Sequence, residues 1–342
     1  MIEIVYRIRV YAGLAKVFGR KWPWVLLAAF FPGILAALWG FLPKFQPQWT
    51  VADVASEVDT FFSGANVEVM SEGLTVNLEE RTARDMFKKN YLLRDIHMSI
   101  QPGHMVLLLG GSGAGKTTLL NAINGYEKAK AKVHLDGSDV YAEYKRMQYK
   151  IGFVPQMDLM RGNDTVLHTL KDAAALRLPR EFSSADRRDR VNEVMEMFGL
   201  TSLKDTMVSK LSGGQRKRLS IGMEFISNPT LFILDEPDSG LDGIMARELM
   251  KQLRLIADQG KIVIVITHTP DRVIDLFDDV IVLAKDSSRT GRLAFFGSID
   301  EARSFFERDT MEDIVRSING KHEGGEGRAD ELINKYAEVQ HG

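Results

Sequence analysis

The chain has 342 residues, 44 lysines and arginines against 46 aspartates and glutamates, and a formal net charge of −2. That balance gives no basic field for nucleic acid, and none is expected as a partner. The absence of cysteine excludes disulfides, thiolate zinc sites and thiol catalysis.

Residues 1–21 mix Ile2, Ile4, Val5, Ile8, Val10, Leu14, Val17 and Phe18 with Arg7, Arg9, Lys16, Arg20 and Lys21, a basic and partly amphipathic pattern. Trp22–Leu42 then carries no charge. As one helix it would reach ~32 Å, enough for a bilayer core. Trp22, Trp24 and Trp39 fall near its ends, where aromatic belts form. The run is long for a cleaved signal. A single span would place the basic residues on the far side of the membrane from the rest of the chain, against the positive-inside rule. A break at Pro32-Gly33 would keep both ends on one side, as an interfacial or re-entrant anchor. A soluble packing helix is the third alternative. Residues 1–50 are read as membrane-associated, resting on a membrane surface, and 51–66 as a connector.

A domain is expected from about residue 67 to 305. Leu74–Leu78 alternates as a strand does, Glu79–Asn90 reads as a polar turn or short helix, and Leu92–Ile100 leads onward. The apolar run His104–Leu109 is a buried parallel strand by pattern. It delivers Gly110, Gly111, Ser112, Gly113, Ala114, Gly115, Lys116, Thr117 and Thr118. Glycine, four residues, then Gly-Lys-Thr is the pattern of a phosphate cradle opening a helix. Glycines let the backbone close on a phosphate, the helix end attracts it, Lys116 adds charge and Thr117 offers a hydroxyl to Mg²⁺.

Ile151–Pro155 is a second apolar run, and it delivers Gln156, a neutral ligand for Mg²⁺ or water. Residues 157–222 are read as helical. Within them Ser212 suits a helix N-cap, and Gly213, Gly214 and Gln215 expose N–H groups at the helix start. Leu231–Leu234 is a further buried strand, ending in Asp235 for Mg²⁺ and Glu236 for the attacking water. Lys261–Thr267 is another, ending at His268, within reach of a γ-phosphate. Taken singly, each of these last features is also an ordinary strand end or helix start.

The ordered set is distinctive. Gly110–Thr117, Gln156, Leu211–Gln215, Leu234–Pro237, Ser239–Asp242 and His268 together resemble the motif series of an ATP-binding cassette (ABC) ATPase. Ala174–Pro179, Gly214–Gly222, Gly291–Gly297 and Gly324–Tyr336 are similar to the G subfamily. The resemblance implies an α/β P-loop ABC fold with a mostly parallel core, an antiparallel β subdomain and a helical subdomain. It implies ATP and Mg²⁺ as cofactors. Two cassettes would pair head to tail, with Ser212 and Gly214 acting on ATP held by the partner's phosphate loop and Gly213, Gln215 and Asp242 also binding nucleotide. Lys116, Glu236, His268 and Gln156 would be catalytic, and Thr117, Gln156 and Asp235 would hold the metal. Adenine would stack on Phe87, with Tyr91 as competitor.

Asp238 stands where that family usually has Thr or Ser, and like-charge repulsion with Glu236 is expected. Residues 306–342 are read as a linker and short helix. The expected role is the ATPase subunit of an exporter at the cytoplasmic face of a membrane, driving a separate multi-span permease. A membrane-tethered ATP-gated regulator and a soluble non-transport ABC ATPase are the rivals.

Overall fold

The computed structural model describes residues 72–85, 88–157 and 160–341. The N-terminal membrane-associated segment, the connector and Phe87 lie outside the described residues.

Strands β1 (Leu74–Asp85), β2 (Lys88–Ile100), β3 (Met105–Gly110), β4 (Lys130–Leu135) and β5 (Ser138–Asp139) come first. They are followed by β6 (Ile151–Val154), β7 (Leu231–Asp235), β8 (Ile262–Ile266), β9 (Asp279–Lys285) and β10 (Gly291–Ser298). All join one sheet in the order β5-β4-β1-β2-β10-β9-β3-β8-β7-β6. From β9 to β6 every neighbour is parallel. Strands covered on both faces need apolar residues throughout, and Ile262–Ile266 and Leu231–Leu234 are buried without exception. The β1–β2 arm is antiparallel and alternates: Leu74, Val76 and Leu78 are buried, while Asn77 and Glu79 face water.

The polar turn or helix expected over Glu79–Asn90 is instead the far half of this hairpin, paired out to Asp85 and Lys88 with a bulge at Arg81/Thr82. It leaves both faces partly exposed, so no apolar alternation marks it. Cross-strand pairing holds it, including Lys89 Nζ to Glu80 Oε1 at 2.7 Å.

Helix α1 (Lys116–Ile123) follows the phosphate loop, and α2 (Tyr144–Met147) is a single turn. Three helices form the helical part: α3 (Val166–Arg177), α4 (Ser184–Met197) and α5 (Gly213–Phe225). Their ends are chemically closed. Thr165 and Ser183 cap the starts of α3 and α4. Arg187 donates to the carbonyls of Ala174, Leu178 and Pro179, and Arg190 to those of Phe225 and Ile226. Phe225 ties this part to the sheet, its ring 5.8 Å from Phe198 and 5.6 Å from Phe232 of β7. Phe225→Ala is expected to destabilise the domain by ~3–5 kcal/mol, read as a lowered denaturant midpoint. A loss under ~1 kcal/mol would show that the helices do not depend on this contact.

Helix α6 (Gly243–Ala257) buries Leu249, Met250, Leu253 and Ile256. Helices α7 (Ile299–Phe306), α8 (Met311–Ile318) and α9 (Ala329–His341) close the described chain. The stretch read as linker and short helix therefore holds two helices, and both pack inward. Tyr336 of α9 donates to the Phe296 carbonyl at 2.9 Å, and its ring meets Phe295 and Phe305. Among the described residues, no helix is long and apolar enough to cross a membrane.

Candidate functional site: a phosphate cleft at the ends of parallel strands

The strand order assembles the site. β3, β8, β7 and β6 lie side by side and parallel, so their carboxyl ends share one edge. The phosphate loop leaves β3, His268 follows β8, Asp235 and Glu236 end β7, and Gln156 follows β6. Crevices at this edge of an open α/β sheet are where ligands bind. Here the crevice is a cleft of about 480 Å³, lined by Gly110, Gly111, Ser112, Gly113, Lys116, Thr117, Gln156, Asp235, Glu236 and His268. Ala114 is buried behind the loop, and Thr118 continues into α1.

The loop curls because Gly113 and Gly115 take φ of 67° and 95°. A side chain at 115 would also press on Leu93. The half-buried Lys116 lies across the loop, its Nζ donating to the carbonyls of Gly110 at 2.7 Å and Gly111 at 3.3 Å. Burial holds its pKa below the usual lysine range, against the opposing pull of Asp235 and Glu236.

Glu236 sits in a left-handed turn, with φ of 51°, and its side chain is only 12% exposed. Gln156 Nε2 donates to its Oε2 at 2.6 Å. His268 Nε2 lies 2.6 Å from its Oε1. The carbonyl of Gln156 in turn accepts from the buried Lys217 of α5 at 3.1 Å. Thr117, Asp235 and Gln156 all line the cleft, and a hydroxyl, a carboxylate and an amide oxygen are hard donors of the kind that suits Mg²⁺.

Burial first, and then the charge of Glu236, push the Asp235 carboxyl above its ordinary range, while Lys116 and His268 pull it back. A carboxyl raised on folding holds its proton more tightly in the folded chain. Ionised, it therefore costs stability above its folded pKa, and the cost fades as pH falls through that value. In chelator, Asp235→Asn is expected to raise the melting temperature at neutral pH, with a smaller gain at mildly acid pH. The same variant should lose metal-dependent turnover. A melting temperature lowered at neutral pH would refute this account of Asp235.

The other expected residues lie elsewhere. Ser212 caps α5 in a reciprocal box: its Oγ accepts from Gln215 N at 3.3 Å, and Gln215 Oε1 accepts from Ser212 N at 2.9 Å. Ser212 and Gly213 are exposed, while Gly214 packs on Leu241 and Met245. Asp242 caps α6, its Oδ1 accepting from the N–H groups of Ile244 and Met245 at 3.0 and 2.9 Å. None of these lines the cleft. Tyr91 lies on β2 with Lys89 and Arg94 over its ring, at 4.9 and 4.8 Å from the centroid. Asp238 turns its carboxylate to the hydroxyls of Thr267 and Thr269.

Sequence reasoning missed one wall. Glu312, Val315 and Asn319, on and just after α8, also line the cleft. Asn319 lies so close to Gly111 that any side chain at 111 would overlap it. Thr310 as an N-cap, followed by Met311, Ile314 and Ile318 at helical spacing, was the available signal.

Comparison with known proteins agrees with this geometry. The ABC transporter family model matches residues 93–239. An ABC transporter ATP-binding/permease protein of Mycobacterium tuberculosis is 42% identical over 207 residues, 60% of this chain and 23% of that protein. ABC transporter G family member 22 of Arabidopsis thaliana is 36% identical over 273 residues, 77% of this chain and 33% of that protein. The chain thus spans a quarter to a third of the length of these two relatives. Among solved structures, cbiO1 of Clostridium perfringens, part of an ABC transporter complex, superposes with a TM-score of 0.58 at 27% identity. That match covers 68% of this chain and 91% of the other. A dimeric ATP-binding cassette solved with ADP and phosphate gives 0.57 at 25% identity, covering 66% and 98%. The chain belongs to the ABC-type ATPases, most similar to those of the G subfamily.

Proposed function

We propose that this ATPase works as a head-to-tail pair of cassettes around two ATP molecules, and that the pair drives a membrane permease. One observation carries the reading: the chain has two anion-facing elements, and its own fold keeps them apart. The phosphate cleft holds Lys116, Thr117 and Asp235, while the helix start at Ser212–Gln215, exposed at Ser212 and Gly213, lies outside that cleft. A second copy would bring its Ser212, Gly213, Gly214 and Gln215 over the open side. Asp242 would support that contact through the start of α6, and adenine would stack on Phe87 or Tyr91.

Within the cleft, Mg²⁺ held by Thr117, Asp235 and Gln156 would neutralise phosphate charge. Glu236 takes a proton from, or orients, the attacking water, and Gln156 or His268 must yield one of its carboxylate oxygens for that. His268 and Lys116 face the charge that develops on the phosphoryl group. Catalysis of this kind is positioning and electrostatics.

The permease is assigned to a groove on the helical part. It runs between Met160, Arg161 and α3 on one side and Met223 and Glu224 on the other. Met157 and Leu176 expose apolar side chains, 75% and 80% accessible. We place the cassette, residues 67–305, at the cytoplasmic face of a membrane, with residues 1–50 on the membrane surface, 51–66 as connector, and 306–342 as a segment that follows the cassette and packs against it. The likeness to the G subfamily favours export.

Affinity purification of the tagged protein from detergent-solubilised host membranes, with mass spectrometry of what accompanies it, tests this reading. A stoichiometric multi-span polypeptide is the expected result. Recovery from membranes with no such polypeptide, free or fused, would overturn the transporter reading in favour of a tethered regulator.

A further inference from the structure

His268 is held by Glu236 through a single imidazole nitrogen, and 75% of its side chain is exposed. Packing therefore does little to orient it, and its direction must come from the backbone. That backbone is closed on one oxygen. Asp238 Oδ2 accepts from Thr267 Oγ1 at 2.5 Å and from Thr269 Oγ1 at 3.4 Å, the residues on either side of His268. Thr267 Oγ1 also accepts the N–H of Thr269 at 3.1 Å. Thr267 is 5% exposed, so its hydroxyl depends on these partners.

The other end of the link is Glu236. Asp238 stands two residues after it, in a turn where Ser239 N donates to the Glu236 carbonyl at 3.2 Å and Leu241 N to the Asp238 carbonyl at 3.1 Å. The carboxylate thus fastens the turn that carries Glu236 to the turn that carries His268. We propose that Asp238 is a positioning residue for hydrolysis, fixing the backbone around His268 so that the imidazole meets Glu236. It acts through geometry, as an acceptor for two hydroxyls, and it does not touch the phosphates. The inference rests on the ATPase reading of Glu236 and His268.

The test compares Asp238→Ala, Asp238→Asn and Thr267→Val in the full chain, with Glu236→Gln alongside. Phosphate release gives kcat and KM, and a fluorescent ATP analogue gives nucleotide affinity. Asp238→Ala and Thr267→Val are each expected to lower kcat ~10- to ~100-fold, the scale of a misplaced catalytic group, with affinity held within about twofold. The double variant should be no worse than the more impaired single one. Asp238→Asn should recover most of the rate, because its amide oxygen still accepts. Loss of turnover in Glu236→Gln reports separately on the ATPase reading. With that control intact, an unchanged kcat in Asp238→Ala and Thr267→Val overturns the positioning role. So does an equal fall in affinity and kcat, or an Asp238→Asn variant as impaired as the alanine.

Discussion

Glu236→Gln is expected to lower the ATP turnover number by ~10²–10⁴-fold while nucleotide still binds, the range for removing a positioned general base. Three observations set the size of the effect. The side chain is 12% exposed, so bulk water does not substitute for it. It is aimed by a left-handed backbone turn, which a non-glycine residue adopts only when its surroundings hold it there. Both its oxygens are engaged, by Gln156 and by His268, so its position is set before substrate arrives. Glutamine keeps the volume and one acceptor oxygen but removes the charge. The change also removes the like charge that helps to push the Asp235 carboxyl up. Phosphate release at saturating ATP reads the rate, and equilibrium binding of a fluorescent nucleotide reads the affinity. A Glu236→Gln variant turning over within about threefold of the parent would remove Glu236 from the chemistry.

The parts of this site that were legible in the sequence are those where physics leaves few options. A strand buried on both faces must be apolar throughout, so β3, β7 and β8 announced themselves, and Gly110, Asp235 and His268 at the ends of those runs all line the cleft. The cradle was legible because positive φ at Gly113 and Gly115 admits almost nothing but glycine. The sequence could not order the strands. That β3, β8, β7 and β6 are neighbours depends on crossovers far apart in the chain, and only that order puts His268 between the phosphate loop and Glu236.

Where pattern misled, the cause was exposure or length. The outer half of the β1–β2 hairpin is wetted on both faces, so it carries no period. Helix α8 has eight residues, too few for its apolar spacing to stand out, and it came after the motifs that drew attention. Yet Asp271, three residues past His268, accepts from the N–H groups of Met311 and Glu312 at 2.8 and 3.0 Å. The far end of the helix leads to Asn319 against Gly111. A segment outside the family match thus braces the histidine turn and the phosphate loop together. Asp238 shows the opposite case: it was conspicuous in the sequence, but its work is read from Thr267 and Thr269, which no spacing rule connects to it.

Lys116→Ala is expected to weaken ATP binding most. The side chain is half-buried and spans its own loop to the Gly110 and Gly111 carbonyls, so a phosphate entering the cradle meets a charge that is already in place. Each charge-assisted hydrogen bond contributes about 1.5–3 kcal/mol. Loss of one or two therefore corresponds to a fall in affinity of at least ~10-fold and up to ~10⁴-fold. The nucleotide-free fold should change little, because alanine also removes the desolvation that lowers the lysine's pKa. The effect should thus appear in ligand-induced stabilisation, which scales with the logarithm of ligand over Kd. A melting-temperature rise with Mg²⁺ and ATP in the parent should vanish in the variant at the same concentrations. The pH dependence follows from the same cause. Lys116 deprotonates below the usual lysine range, so parental affinity should decline as pH rises toward that lowered value, and Lys116→Ala should lose this alkaline limb. A variant that keeps both the thermal shift and the alkaline decline would show that another cation, not Lys116, meets the phosphates.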